Sequence, residues 1–227
     1  MSPEIKPPKM IDLNHPISAG MITYRGLPGP VIEDFIGYEA SHDHYAEGTE
    51  FHIGRIDMIA NTGTYIDTPI HRYRSGYDLA ELPLAHIAHL PGRVFHAPAE
   101  PRVLGPELFE GVDIAGKAVL IHTGHARWWG DDRYFRDHRC LDEAAAELLC
   151  RQGARLVGID SLNIDDTVEG GRPVHSLLLE AGIPIVEHMC GLDQLPDEGF
   201  LFYAVPPRIR GLGSFPTRAF AIVNSEG

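Results

Sequence analysis

Lys117-Ala-Val-Leu-Ile-His122, then Cys140 to Gln152, then Arg155-Leu-Val-Gly-Ile-Asp160 form the stretch on which the fold class turns. The two outer runs are short, apolar and β-branched, as strands buried in a sheet are. Between them, Leu141, Ala145, Leu148 and Leu149 recur at helical spacing, and Gly153 supplies a stop signal. Strand, helix, strand predicts an α/β core. Working outward, Ile183-Pro-Ile-Val-Glu187, Phe200 to Val205 and Ala219 to Val223 read as further strands, and Val174 to Gly182 as a short helix. Upstream, Met10 to Ile17 reads as a strand ending at Pro16, and residues 18–50 as loops around short extended pieces.

The chain has 227 residues, enough for a proper core, and no repeat or linker divides it. The expectation is a polar, proline-rich arm over residues 1–10 and a single domain over 11–227. A net charge of −13 argues against nucleic acid or an anionic membrane surface as partner. No apolar run approaches the roughly 18–20 residues of a membrane helix. The first ten residues lack the apolar segment of a secretory signal. Cys140, Cys150 and Cys190 are odd in number and make no CxxC pair, so a reducing cytoplasm is expected.

Chemistry concentrates at Asn61-Thr-Gly-Thr-Tyr-Ile-Asp-Thr-Pro-Ile-His71. Phe51 to Ala60 before it alternates like a strand, and its continuation would put Asn61, Gly63, Tyr65 and Asp67 on one face. Pro69 then breaks the strand, with His71 just past the stiff corner. A carboxylate and an imidazole there suit a metal or an acid–base pair, although an Asp67 that merely caps a turn has the same spacing. His175, at a helix start, and Glu187, at a strand end, would complete a set suited to Zn²⁺ or Mn²⁺. The alternative is a His175 that caps its helix and a Glu187 paired with a surface Arg. His188 should face the other way and pack. The group His42, Asp43, His44 and Tyr45 reads as a solvated loop, and His86, His89 and His96 follow no ligand spacing. Trp128, Trp129, Phe35 and Tyr24 are candidates to line a pocket.

These residues resemble the cyclase-type metal-dependent hydrolases, a family that includes bacterial kynurenine formamidase and isatin hydrolase. The family signature is His-x-Gly-Thr-His-x-Asp-x-Pro-x-His, and Gly63, Thr64, Asp67, Pro69 and His71 match it. Further matches are Ile11-Asp-Leu13, Thr123-Gly124, Val157-Gly-Ile-Asp160, His175 with Leu178-Leu179, Ile183 to Glu187 and Gly213 to Ala219. The resemblance implies a swivelling β/β/α fold of α/β (α+β) class, a mixed sheet with flanking helices, and a homodimer. It also implies a metal at Asp67, His175 and Glu187, with His71 as catalytic base. Two signature histidines that hold a first metal are replaced, by Asn61 and Tyr65. An amide oxygen is a weak Zn²⁺ ligand and a phenol binds well only when deprotonated. The expectation is therefore one divalent metal, Zn or Mn, or none, with His52 not recruited.

Three functions follow. The leading one is hydrolysis of a small amide, cyclic amide or lactone, with N-formylkynurenine as the family-level substrate and Tyr65 as a hydrogen-bond donor to the developing oxyanion. The second is a small-molecule binding protein that has lost the metal. The third is metal-free acid–base chemistry, such as dehydration or isomerisation, on Asp67, Tyr65 and His71.

Overall fold

Burial on the central strands alternates between two cores. The computed structural model describes residues 8–168 and 170–223. In chain order the strands are β1 (Lys9–Asp12), β2 (Val31–Ile36), β3 (Ile53–Asp57), β4 (Tyr65–Asp67), β5 (Leu90–His96), β6 (Val103–Leu104), β7 (Ala118–His122), β8 (Cys140–Leu141), β9 (Leu156–Ile159), β10 (Ile185–Glu187), β11 (Phe200–Val205), β12 (Ser214–Pro216) and β13 (Arg218–Val223). The helices are α1 (Tyr38–Ser41), α2 (Glu143–Arg151) and α3 (Pro173–Glu180). Nine strands form one mixed sheet in the order β1-β13-β11-β5-β7-β9-β10-β4-β12. The middle, β5-β7-β9-β10, is parallel, and the flanks are antiparallel.

Val119 and Ile121 of β7, Val157 and Ile159 of β9, and Ile185 of β10 pack with Leu148 and Leu149 of α2 and Leu178 and Leu179 of α3. The intervening Leu120, Leu156 and Val186 join Phe202, Ala219 and Ile66 in a second core. Residues that alternate along a strand fill opposite faces, so a continuous apolar run marks a sheet covered on both sides. The expected α/β class with a mixed sheet and flanking helices is the observed one. Helix α2 starts where Asp142 accepts the Ala145 amide at 2.7 Å, which satisfies one orphan donor of the first turn.

Several boundaries differ from the sequence reading. Residues 1–7 of the expected arm lie outside the described residues, while Lys9 and Met10 already pair with β13. The strand read over Phe51 to Ala60 is shorter and does not run into the signature. Among the described residues β3 pairs only with β2, and Gly63 takes a left-handed φ of 64° before β4 begins. Asn61 and Gly63 therefore do not share a strand face with Tyr65 and Asp67. Among the described residues no helix is long and apolar enough to cross a membrane.

Candidate active site

β4 lies between β10 and β12, and that pairing builds the floor of the site. Tyr65 stands opposite Glu187, and Asp67 opposite Ser214. Opposed residues project from the same side of a sheet, and Tyr65 and Asp67 are two apart, so all four side chains share one face. Tyr65, Asp67, Ser214 and Glu187 are all buried. Gly213 lets β12 close on the corner after Asp67, since a Cβ there would meet the His71 backbone nitrogen at 2.6 Å.

Two imidazoles come over this floor. Pro69 to His71 forms a single 3-10 turn behind the extended Thr68, as the proline predicts. His175 sits in the first turn of α3, 5 % exposed. Its Nε2 faces Asp67 Oδ2 at 3.6 Å and Glu187 Oε1 at 3.7 Å. Its Nδ1 lies 2.6 Å from Asp165 Oδ2. That carboxylate also accepts the amides of Val174 and His175, at 2.8 and 3.0 Å. Asp165 thus caps α3 and fixes the imidazole with Nδ1 toward its carboxylate, which turns Nε2 toward Asp67 and Glu187. It was read only as part of a polar loop.

Ser214 is the second residue that the sequence reading missed. Its hydroxyl donates to Asp67 Oδ1, and a hydroxyl has one proton to give. His71 Nδ1, 2.9 Å from Ser214 Oγ, must then be the donor, which leaves Nε2 of His71 as its basic atom. His71 Nδ1 is also 3.5 Å from Asp67 Oδ1.

Glu187 is held from several directions. Its Oε1 accepts the Ile164 amide at 2.7 Å, and its Oε2 accepts the Tyr65 hydroxyl at 2.6 Å. Tyr24 joins at 2.7 Å from the Tyr65 oxygen and 3.3 Å from Glu187 Oε2. Burial, and after it the Glu187 charge, pushes both phenols well above their ordinary pKa. Tyr65 is therefore a neutral donor to Glu187. Its hydroxyl donates to Glu187 Oε2, and a single proton serves one acceptor at a time. The oxyanion role expected for Tyr65 competes with this bond.

The electrostatics centre on His175. Burial opposes its protonation, but the charge of Glu187, the hydrogen bond to Asp165 and the nearby Asp67 carboxylate override that and push its pKa up to about 10. Burial raises the pKa of Glu187, and the nearby His175 opposes that rise. Two fully buried carboxylates around one imidazole make a locus that favours positive charge. Asp67 Oδ2 is buried with no hydrogen-bond partner among the described residues. An orphaned carboxylate oxygen aimed at an oriented imidazole fits a divalent cation. The donor atoms of Asp67, His71 and His175 lie within 4.8 Å of one another, so His71 also stands within reach of such an ion.

The floor opens into a cavity of ≈ 260 Å³ lined by Tyr24, Asn61, Tyr65, His71, His175 and Glu187, with Leu27, Arg72, Asn163 and Arg172 around it. Of the aromatic candidates, only Tyr24 lines this cavity. Trp128 borders another, Trp129 stacks on His15, and Phe35 is exposed on the β2–β3 ribbon. His52 also belongs to the ribbon side, where it bonds Asp34 at 2.7 Å. His188 is packed, with Tyr134 on Nδ1 and Tyr24 on Nε2.

The Cyclase family model matches residues 11–166, which include Asn61, Tyr65, Asp67 and His71; His175 and Glu187 lie beyond them. A kynurenine formamidase of Geobacillus thermodenitrificans is 32% identical over 176 residues, 77% of this chain and 81% of that protein. A solved structure described as a potential metal-dependent hydrolase with cyclase activity aligns with a TM-score of 0.79 at 26% identity, covering 97% of this chain and all of that one. Isatin hydrolase A from Ralstonia solanacearum shares the fold, with a TM-score of 0.81 at 22% identity over 95% of this chain and 92% of its own.

Proposed function

The chain belongs to the Cyclase family, and on that premise we propose that it is a metal-dependent hydrolase of a C–N bond in a small amide. Asp67, His175 and Glu187 would hold one divalent ion, zinc or manganese, which when bound polarises a carbonyl and makes water a better nucleophile. The observation that carries this reading is the orphaned Asp67 Oδ2 facing an imidazole whose other nitrogen is locked by Asp165. A histidine oriented from behind by a carboxylate is the usual arrangement of a metal ligand.

The chain's own groups supply the proton transfers. His71, with Nδ1 on Ser214, takes a proton from water through Nε2 and returns it to the leaving amine. Tyr65 and Tyr24 hold Glu187 in place; Tyr65 reaches a substrate oxyanion only by leaving that carboxylate. The curated relatives named kynurenine formamidase support a formyl amide of an aromatic amine as the substrate class. The remaining elements of the proposal are a single domain over 11–227, a cytoplasmic location and a homodimer. One sheet that takes in both β1 and β13 supports the first. The dimer has support in the exposed Phe35 and Ile56 of the β2–β3 ribbon, since an isolated two-stranded ribbon is marginally stable.

A second reading, metal-free acid–base chemistry, draws on the same His175: protonated, it bridges Asp67 and Glu187 without any ion. His71→Ala distinguishes a base from a ligand. We expect turnover of N-formylkynurenine to fall about 10²–10⁴-fold, the usual contribution of a general base, with metal content unchanged. Loss of metal in step with activity would make His71 a ligand. Unchanged turnover would remove it from the mechanism.

A further inference from the structure

Arg72 follows His71 in sequence and lines the same cavity. Its Nε donates to Ser176 Oγ at 3.0 Å, and Ser176 in turn donates to the Arg172 carbonyl at 2.7 Å. Each partner is thus the residue next to a site imidazole, His71 or His175, so the guanidinium is tied between the two elements that carry them. Among the described residues this is the only side-chain hydrogen bond Arg72 makes, and it spends one of five donors. Both terminal nitrogens are left for a ligand.

There are 32 acidic residues against 19 Lys and Arg. Arg25, Arg55, Arg93, Arg102, Arg133 and Arg218 each pair with a carboxylate, and no such pair is formed by Arg72 among the described residues. Arg172, also at the cavity, bonds the Asp166 and Gly171 carbonyls at 3.1 and 2.7 Å. A planar guanidinium anchored through Nε presents the fork that carboxylates accept in bidentate fashion.

We propose that Arg72 determines specificity by receiving a carboxylate on the substrate, so that the ligand class is a small amide carrying a carboxylate near the scissile bond. The cavity, ≈ 260 Å³, is slightly smaller than the roughly 300–1,000 Å³ usual for drug-sized ligands, which restricts the class to single-ring or short-chain acids. The amide part of this statement rests on the hydrolase reading above; the carboxylate part does not.

Two measurements separate them. Benzoate and benzamide are titrated calorimetrically into the wild-type protein, Arg72→Ala, Arg72→Lys and Ser176→Ala, each with added Zn²⁺ and after chelation. Benzoate binding should weaken roughly 10- to 100-fold in Arg72→Ala, as removal of a charged hydrogen-bonding partner does, with part of the loss recovered in Arg72→Lys. Ser176→Ala, which frees the guanidinium, should weaken benzoate less than Arg72→Ala does, and benzamide should show no such series. Separately, kcat/KM for N-formylanthranilate should fall through KM in Arg72→Ala by at least tenfold more than kcat/KM for formanilide. Hydrolysis of neither amide, alongside Arg72-dependent benzoate binding, would sink the hydrolase reading and support this one. Benzoate that fails to bind the wild type, that binds Arg72→Ala equally, or that depends on Zn²⁺ alone would overturn the assignment of Arg72.

Discussion

Asp165→Asn tests the geometry of the site without touching a proposed ligand. The carboxylate accepts three N–H groups: the Val174 amide on Oδ1, and the His175 amide and Nδ1 on Oδ2. Asparagine keeps one oxygen. With that oxygen on the His175 side, the amide NH₂ meets the Val174 N–H, donor against donor. One buried amide is left unsatisfied, at a cost of about 1–3 kcal/mol. For a chain of this length, each kcal/mol lowers Tm by about 2–4 °C, so the metal-free variant should melt about 2–12 °C below the metal-free wild type. The second effect falls on the metal. Asn is neutral, so it neither holds the Nδ1–H tautomer as firmly nor raises the basicity of Nε2. Loss of such a carboxylate typically lowers metal affinity about 10–100-fold. Competition with a chromophoric chelator measures that affinity directly, and differential scanning calorimetry of the chelated protein measures the stability term alone. A folded Asp165→Asn protein that binds Zn²⁺ within about twofold of wild type would show that His175 Nε2 is not a metal ligand.

Two further substitutions examine the altered signature. Tyr65→Phe removes the 2.6 Å bond to Glu187; if Tyr65 serves to hold that carboxylate, metal affinity should fall, whereas a fall in kcat at unchanged metal content, read by elemental analysis, would make it an oxyanion donor instead. Asn61→His with Tyr65→His should allow a second metal to bind, because both positions line the cavity beside Asp67. Unchanged stoichiometry in the folded double variant would mean that the turn at Asn61 points its side chain elsewhere.

The core strands were legible because their burial is two-sided. Ala118 to Ile121 and Leu156 to Ile159 carry no polar side chain, and β7 and β9 are covered on both faces. The helix inside Cys140 to Gln152 was legible for the same reason, although Cys140 and Leu141 form β8 and Asp142 the cap. Alternation misled over Phe51 to Ala60. It marks a strand with one face to bury, yet every residue of β3 is exposed in the single chain, so the pattern carried no information about the signature that follows. β5 went unread because Pro91-Gly92 near its start has the composition of a turn.

The site divides in the same way. Asp67, His71, His175 and Glu187 stood out by residue type and order along the chain, and the structure brings all four within one cluster of contacts. Asp165 and Ser214 did not stand out. Asn163-Ile-Asp-Asp166 looks like any polar loop, and the role of Asp165 depends on that loop meeting the start of α3. Ser214 matters because β12 pairs with β4 across 147 positions of sequence, a register that local pattern does not encode.

The central claim is one metal ion at Asp67, His175 and Glu187, and elemental analysis tests it most directly. Wild-type protein, purified and then loaded and desalted, should hold about one transition metal per chain, and Glu187→Gln should hold clearly less at the same free metal concentration. Two metals per chain would place an unforeseen ligand near Asn61 and Tyr65. No metal under any loading condition would contradict the account and leave His175 as a protonated bridge between the two carboxylates.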